Sequence, residues 1–130
     1  MCAEPAPIIL LIDNSLDFAY LIDRYGAEGG YRIDHATTVE EALTYLDQNS
    51  PQALLLNLLL PENAGWYLLE RVKSDEALKG IPVIVFSSIR DEERARSAGA
   101  NGCLWKPIMY ADFQAVLFDV GVLRSPSTGR

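Results

Sequence analysis

The sequence predicts an α/β fold, a doubly wound parallel sheet flanked by helices, and three observations carry that expectation. Four short runs are apolar without alternation: IILLI at 8–12, ALLL at 53–56, VIVF at 83–86 and GCLW at 102–105. Strands buried on both faces of a parallel sheet need this pattern. Segments with helical spacing separate the runs, as they must if parallel neighbours are joined by helical crossovers. The chain's 130 residues suffice for one core but not for two of ordinary size.

Taken in order, 1–7 reads as a short Pro-containing leader, and the folded part spans about 8–123. After the first run, Phe18, Leu21, Ile22 and Tyr25 keep helical spacing, and Gly29-Gly30 supplies a stop. Residues 31–36 form a weaker strand whose Arg32 and Asp34 suit a sheet edge with one face in water. Thr38 with Glu41 makes a capping box ahead of Ala42, Leu43 and Leu46. The turn-forming PENAG at 61–65 precedes a helix carrying Trp66, Leu69, Val72 and Lys73. DEERARSA reads as a fourth helix, and Phe113, Val116, Leu117 and Val120 form the stripe of the last one. The last helix also carries Tyr110, Ala115, Phe118 and Val122, so it is apolar nearly all round. RSPSTGR at 124–130 is a polar tail or the start of a linker.

Composition narrows the function classes. Eleven Lys plus Arg stand against 18 Asp plus Glu, a formal charge of -7, which repels a phosphate backbone and argues against nucleic-acid binding. Apolar runs are too short for a membrane helix. Cys2 and Cys103 are far apart without CxxC spacing and no secretory signal is visible, so a reduced, cytoplasmic setting is expected, with Cys103 a small buried hydrophobe.

Four of the apolar runs end in polar residues: Asp13-Asn14, Asn57, Ser87-Ser88 and Lys106. The carboxyl ends of the strands surround the ligand crevice of an open α/β sheet, so these residues are expected to converge. Each alone could be a strand end turning toward water.

The segments LLIDNSLDF at 10–18, LLLNLLLPENAGW at 56–66, IPVIVFSS at 81–88 and GANGCLWKP at 99–107 resemble the response-regulator receiver family over about 115 residues. Those proteins take phosphate from a histidine kinase onto an aspartate at the end of the third strand, with a magnesium ion held by acidic residues after the first. The resemblance implies a CheY-like, flavodoxin-like sheet of five strands in the order 2-1-3-4-5 and a cis peptide before Pro107. It places Asp13 and Asn14 at the acidic pair, Asn57 at the phospho-acceptor, Ser87 at the phosphate-binding hydroxyl and Lys106 at the phosphate-binding lysine.

Two of the three carboxylates of that pattern are amides here, Asn14 and Asn57. The family site sums to about -2, which suits a divalent ion; Asp13 and Lys106 sum to zero, so no Mg²⁺ cofactor is expected. An amide also lacks the carboxylate nucleophile, and Lys106 is expected to lie between Asp13 and the Asn57 amide oxygen. Cys103 stands where receivers often carry a switching aromatic, and the interval from Ser87 to Gly99 is about one helical turn short of the family pattern, so the fourth helix should be short. Ala64 replaces a frequent aspartate of the loop after the third strand. A change at Asn57 alone could be engineered, but the concurrent departures read as natural.

The leading expectation is a non-enzymatic pseudo-receiver that binds a kinase, an output domain or itself, with Tyr110, Phe118 and Val122 as candidates for a homodimer interface on the last helix. A second class is an active phosphorelay receiver with another acceptor, Ser87 or an Asn57 deamidated to aspartate. A third is a small-ligand module on the same fold, against which stands the lack of a phosphate-cradling GxGxxG or GxxxxGK[ST] loop. His35 reads as a partly exposed structural residue, and Trp66 and Trp105 as core or rim packing.

Overall fold

In a computed structural model, which describes residues 6–122, five parallel strands run in the order β2-β1-β3-β4-β5. They are β1 (Ile8–Ile12), β2 (Arg32–Ala36), β3 (Ala53–Asn57), β4 (Val83–Ser87) and β5 (Gly102–Trp105), joined by α1 (Leu16–Gly29), α2 (Val39–Gln48), α3 (Ala64–Ser74), α4 (Glu92–Ser97) and α5 (Tyr110–Asp119). The chain reverses direction across the sheet between β1 and β3, the switch point of a doubly wound fold. Most of the leader and the tail at 124–130 lie outside the described residues; Pro7 lies inside, and its carbonyl accepts from the Arg32 amide at 2.8 Å.

The continuous apolar runs divide by period two. Leu10, Ile12, Leu54, Leu56, Val83 and Val85 face one core with Leu46 of α2, Leu68 and Val72 of α3 and Ala95 of α4. Ile9, Leu11, Leu55, Ile84, Phe86 and Leu104 face the other with Phe18 and Ile22 of α1 and Phe113 and Leu117 of α5. Alternating side chains thus bury both faces at once, which is why these strands show no polar alternation. β2 is the exception expected of an edge: its outer residues are partly exposed, and Arg32 pairs with Asp34 at 2.9 Å. Hydrogen bonds from Tyr45 and Arg32 outweigh the burial of Asp34 and hold its carboxyl below the usual range.

Helix ends follow local chemistry. The Ser15 hydroxyl accepts from Phe18 N at 3.2 Å and starts α1. Gly30, at φ 82°, ends it by donating to Gly26 O. Thr38 caps α2 through Glu41 N, but Glu41 does not complete the reciprocal box: its carboxylate turns to the amide and hydroxyl of Thr37. α4 has only six residues, as the short interval predicts. The Lys106–Pro107 peptide is cis. Among the described residues no helix is long and apolar enough to cross a membrane.

The turn into α3 contains a 3-10 segment, Pro61–Asn63, in which Glu62 and Asn63 adopt φ 61° and 59°. These left-handed residues swing the chain back so that Gly65 lies against the end of β3. A Cβ on Gly65 would sit 2.3 Å from the Asn57 carbonyl oxygen and 2.8 Å from Leu58 Cα. The obstruction is backbone, which cannot rotate away. Gly65→Ala should therefore destabilise the fold by about 1–3 kcal/mol, measured by urea denaturation; an unchanged midpoint would show that α3 can shift outward freely.

Candidate functional site

Backbone pairing first fixes the carboxyl ends of the strands. Asp13 N donates to Ala36 O at 3.1 Å, Leu58 N to Phe86 O at 3.0 Å and Lys106 N to Ser87 O at 3.0 Å. The ladders thereby extend one residue past the apolar runs, carrying Asp13, Asn57 and Ser87 inward. All three are buried, the only buried polar side chains among the described residues, with Asp13 5% exposed. Asp13 and Asn57 are in contact, Ser87 stands at the end of the adjacent strand β4, and Asn14 and Lys106 are exposed at the rim.

Asn57 joins the site together. Its Nδ2 donates to Asp13 Oδ1 at 2.7 Å, and its Oδ1 accepts from Leu59 N at 2.8 Å. One amide thus serves a carboxylate that can only accept and a backbone group that can only donate, which fixes its orientation. The Ser87 hydroxyl accepts from Ile89 N at 3.0 Å. Asp13 Oδ2 is buried without a hydrogen-bond partner, an unbalanced feature for a carboxylate in so enclosed a place.

The arrangement of Lys106 corrects the sequence expectation. It does not bridge Asp13 and Asn57; its ammonium lies 4.6 Å from the centroid of the Phe18 ring and 5.4 Å from that of Phe86. Those rings stack at 4.5 Å with 26° between their planes, giving the cation a π surface at the mouth of the site. Helical spacing places Phe18 in the core stripe of α1 and gives no hint that it also faces Lys106. An apolar residue at the end of a strand run, as Phe86 is, was the available signal, and it reads equally as core.

The remaining candidates distribute as follows. Cys103 is half-buried against the α2–α3 side of the core, and burial pushes its thiol up from the ordinary value. Tyr110 is half-buried with its ring 5.2 Å from that of Tyr25, and Val122 packs on the α1–α5 side of the core. Of the three interface candidates, only Phe118 is exposed, at 47%. His35 binds Asp23 at 2.7 Å, and Trp66 is half-buried with the Arg94 guanidinium 3.8 Å above its ring. Trp105 is half-buried and lines a groove between α4 and α5.

Comparison with known proteins agrees with this geometry. Residues 9–118 match the family described as the response regulator receiver domain. The chain belongs to this family. It is 31% identical over 112 residues to the polar-differentiation response regulator DivK of Brucella anthropi, covering 84% of this chain and 90% of that one. It is 32% identical over 113 residues to the two-component response regulator ORR3 of rice, Oryza sativa, covering 84% and 86%. The signal receiver domain of a histidine kinase from Syntrophus aciditrophicus superposes with a TM-score of 0.80 at 28% identity, covering 94% of this chain and 96% of that one. The chemotaxis response regulator CheY4 of Vibrio cholerae shares the fold at a TM-score of 0.80 with 19% identity, covering 88% and 98%. This chain is therefore a receiver domain of the two-component response regulator type.

In this receiver domain the residues at the strand ends fit a divalent ion poorly. The partner-free oxygen Asp13 Oδ2 is the single carboxylate atom free at the buried site, because Asn57 Oδ1 is committed to Leu59 N and Asn14 is neutral. Among the described residues no group of three or more His, Cys, Asp and Glu is placed to hold a metal.

The Asn57 amide is also what allows Asp13 to be buried beside it. Asn57→Asp would replace the donor with a second carboxylate at hydrogen-bond distance, and two such groups cannot both ionise cheaply. One of their folded-state pKa values should then rise above the unfolded value of about 4. A raised carboxyl destabilises the fold above its folded pKa, and the deficit disappears as pH falls through it. The variant should lose roughly 1–3 kcal/mol at pH 8 and recover much of it by pH 5. Denaturant midpoints of both proteins at the two pH values check this; a deficit independent of pH would refute the like-charge account.

Proposed function

We propose that this receiver domain acts as a non-phosphorylated pseudo-receiver, a cytoplasmic protein-interaction module of a two-component pathway without enzymatic activity of its own. The observation that carries the reading is the double engagement of Asn57, donor to Asp13 and acceptor from Leu59. The acceptor position thus holds a neutral group with no nucleophilic oxygen. The poor fit to a divalent ion points the same way, since Mg²⁺ favours carboxylate oxygens and surrenders water reluctantly.

The atypical-acceptor reading finds less support. Ser87 is 2% exposed and its oxygen accepts from Ile89 N, so it is poorly placed to attack a phosphodonor. Deamidation of Asn57 requires the following amide nitrogen to attack its side chain, and that nitrogen, Leu58 N, is held by Phe86 O. Treatment with acetyl phosphate and millimolar magnesium should leave the protein without a phosphoryl adduct by mass spectrometry. Asn57→Asp alone should also stay unmodified, whereas Asn14→Asp with Asn57→Asp restores a charge of about -2 that suits the ion and should accept phosphate. An adduct on the unaltered protein would overturn the reading.

The partner would be a kinase, an output domain or a second copy, and the last helix offers a surface for it. Ala111, Ala115 and Phe118 are all exposed at helical spacing on one face of α5. A groove of about 690 Å³ runs beside it, lined by Arg96, Cys103, Trp105, Lys106, Asp112 and Val116 among others. With Tyr110 and Val122 turned into the chain's own packing, Phe118 is the centre of such an interface. Sedimentation should show self-association that Phe118→Glu abolishes; a monomer at high concentration, with partner capture unaffected by the substitution, would remove α5 as the interface.

A further inference from the structure

β2 is one end of the sheet, and its backbone divides by period two. The Arg32 amide donates to Pro7 O at 2.8 Å, and the Ala36 carbonyl accepts from Asp13 N at 3.1 Å. In a parallel ladder alternate residues turn their backbone groups to the same neighbour, so Arg32, Asp34 and Ala36 face β1 while Ile33 and His35 present amide and carbonyl outward. No strand lies beside them among the described residues. Side chains divide the same way. Arg32 and Asp34 stand on the α2 face, where the Tyr45 hydroxyl donates to Asp34 at 2.7 Å. Ile33 and His35 stand on the α1 face, where His35 binds Asp23. Charges on an edge strand ordinarily discourage pairing. Here one charge of each sign stands two residues apart on one face, an order that is self-complementary in one register.

We propose that the β2 edge pairs antiparallel with β2 of a second copy of this chain, about a twofold axis at Ile33 that sets Arg32 of each copy opposite Asp34 of the other. Register decides the axis. At Ile33 the two copies exchange both backbone hydrogen bonds, and the flanking pairs of Arg32 with Asp34 fall at the closer, non-hydrogen-bonded positions. An axis at Asp34 also satisfies the backbone, but it sets two carboxylates face to face and leaves Arg32 opposite Ala36. An axis at His35 places neither charge opposite the other. Carboxylates of the flanking helices are engaged elsewhere: Asp23 with His35, Glu41 with the amide and hydroxyl of Thr37, and Glu28 on the side of α1 near Tyr110. The contact lies at the opposite end of the sheet from β5, on which α5 packs, so one copy can pair through β2 and through α5 at once. Two such twofold contacts on one molecule do not close on themselves, and together they string copies into an open chain.

A strand of five residues makes a short and therefore weak contact, so pairing is read by amide NMR at about 1 mM protein, with Phe118→Glu as the parent. That background removes the proposed α5 contact, which sedimentation of the unaltered protein decides separately. Dilution of the parent should shift the Ile33 and His35 amides. Arg32→Asp and Asp34→Arg should each weaken pairing roughly tenfold, because each sets like charges opposite one another. Mixing the two variants should restore pairing to within about threefold of the parent, since every facing position then carries opposite signs. A pair inside one strand cannot be repaired by another molecule, so restoration separates contact between copies from a role of Arg32 and Asp34 within the chain. The exchange of both, Arg32→Asp with Asp34→Arg, should pair with itself as the parent does, and it serves if either single variant does not fold. Ile33 and His35 amides indifferent to concentration, a mixture that pairs no better than its components, or shifts confined to other elements would each overturn the proposal.

Discussion

A buried carboxylate beside a strand end needs a neighbour that can give it a proton in a hydrogen bond, and in this protein the Asn57 amide is that neighbour. Its nitrogen faces Asp13 and its oxygen faces the Leu59 amide, so one side chain couples β1 to β3 and shapes the loop that follows. The close approach of Gly65 to the Asn57 carbonyl then fixes where α3 can begin. Breaking such a contact leaves a charge uncompensated in a poorly solvated place, and this costs more than making it gains.

The site rests on the way the sheet is buried. Because both faces of β1, β3 and β4 are covered, nothing polar is tolerated along them, and polarity is confined to their carboxyl ends. The same segregation leaves three buried polar side chains at the carboxyl ends of the adjacent strands β1, β3 and β4. Lys106 resolves its own position differently from a simple ion pair. Neutral Asn57 shares the Asp13 charge through a hydrogen bond, so the lysine can keep most of its hydration and rest against Phe18 and Phe86.

Membership of the receiver family explains the scaffold, and the departures from its pattern motivate the proposed function. A two-state response needs an element with two arrangements that a ligand can bias. Here the position expected of a switching aromatic is a half-buried cysteine, and α4 is a helix of six residues. The proposed role is accordingly constant binding through a surface that the fold displays at all times, on α5.

Much of this protein was determined by sequence alone. Continuous apolar runs specify buried parallel strands, helical spacing between them specifies crossovers, and local signals such as Gly30 and Thr38 mark helix ends because capping is a matter of neighbouring residues. The identity of the polar residues at the strand ends, including the two amides, is likewise written in the chain. Tertiary structure decided what those residues touch. Whether Lys106 reaches Asp13 or a pair of aromatic rings depends on where α1 carries Phe18, and whether Tyr110 faces solvent depends on Tyr25 across the α1–α5 contact. The exposure of Leu59 between two buried leucines depends on a hydrogen bond from its amide to Asn57. Periodicity assigns a residue to a face, but the partner on that face comes from another part of the chain, and only packing brings the two together.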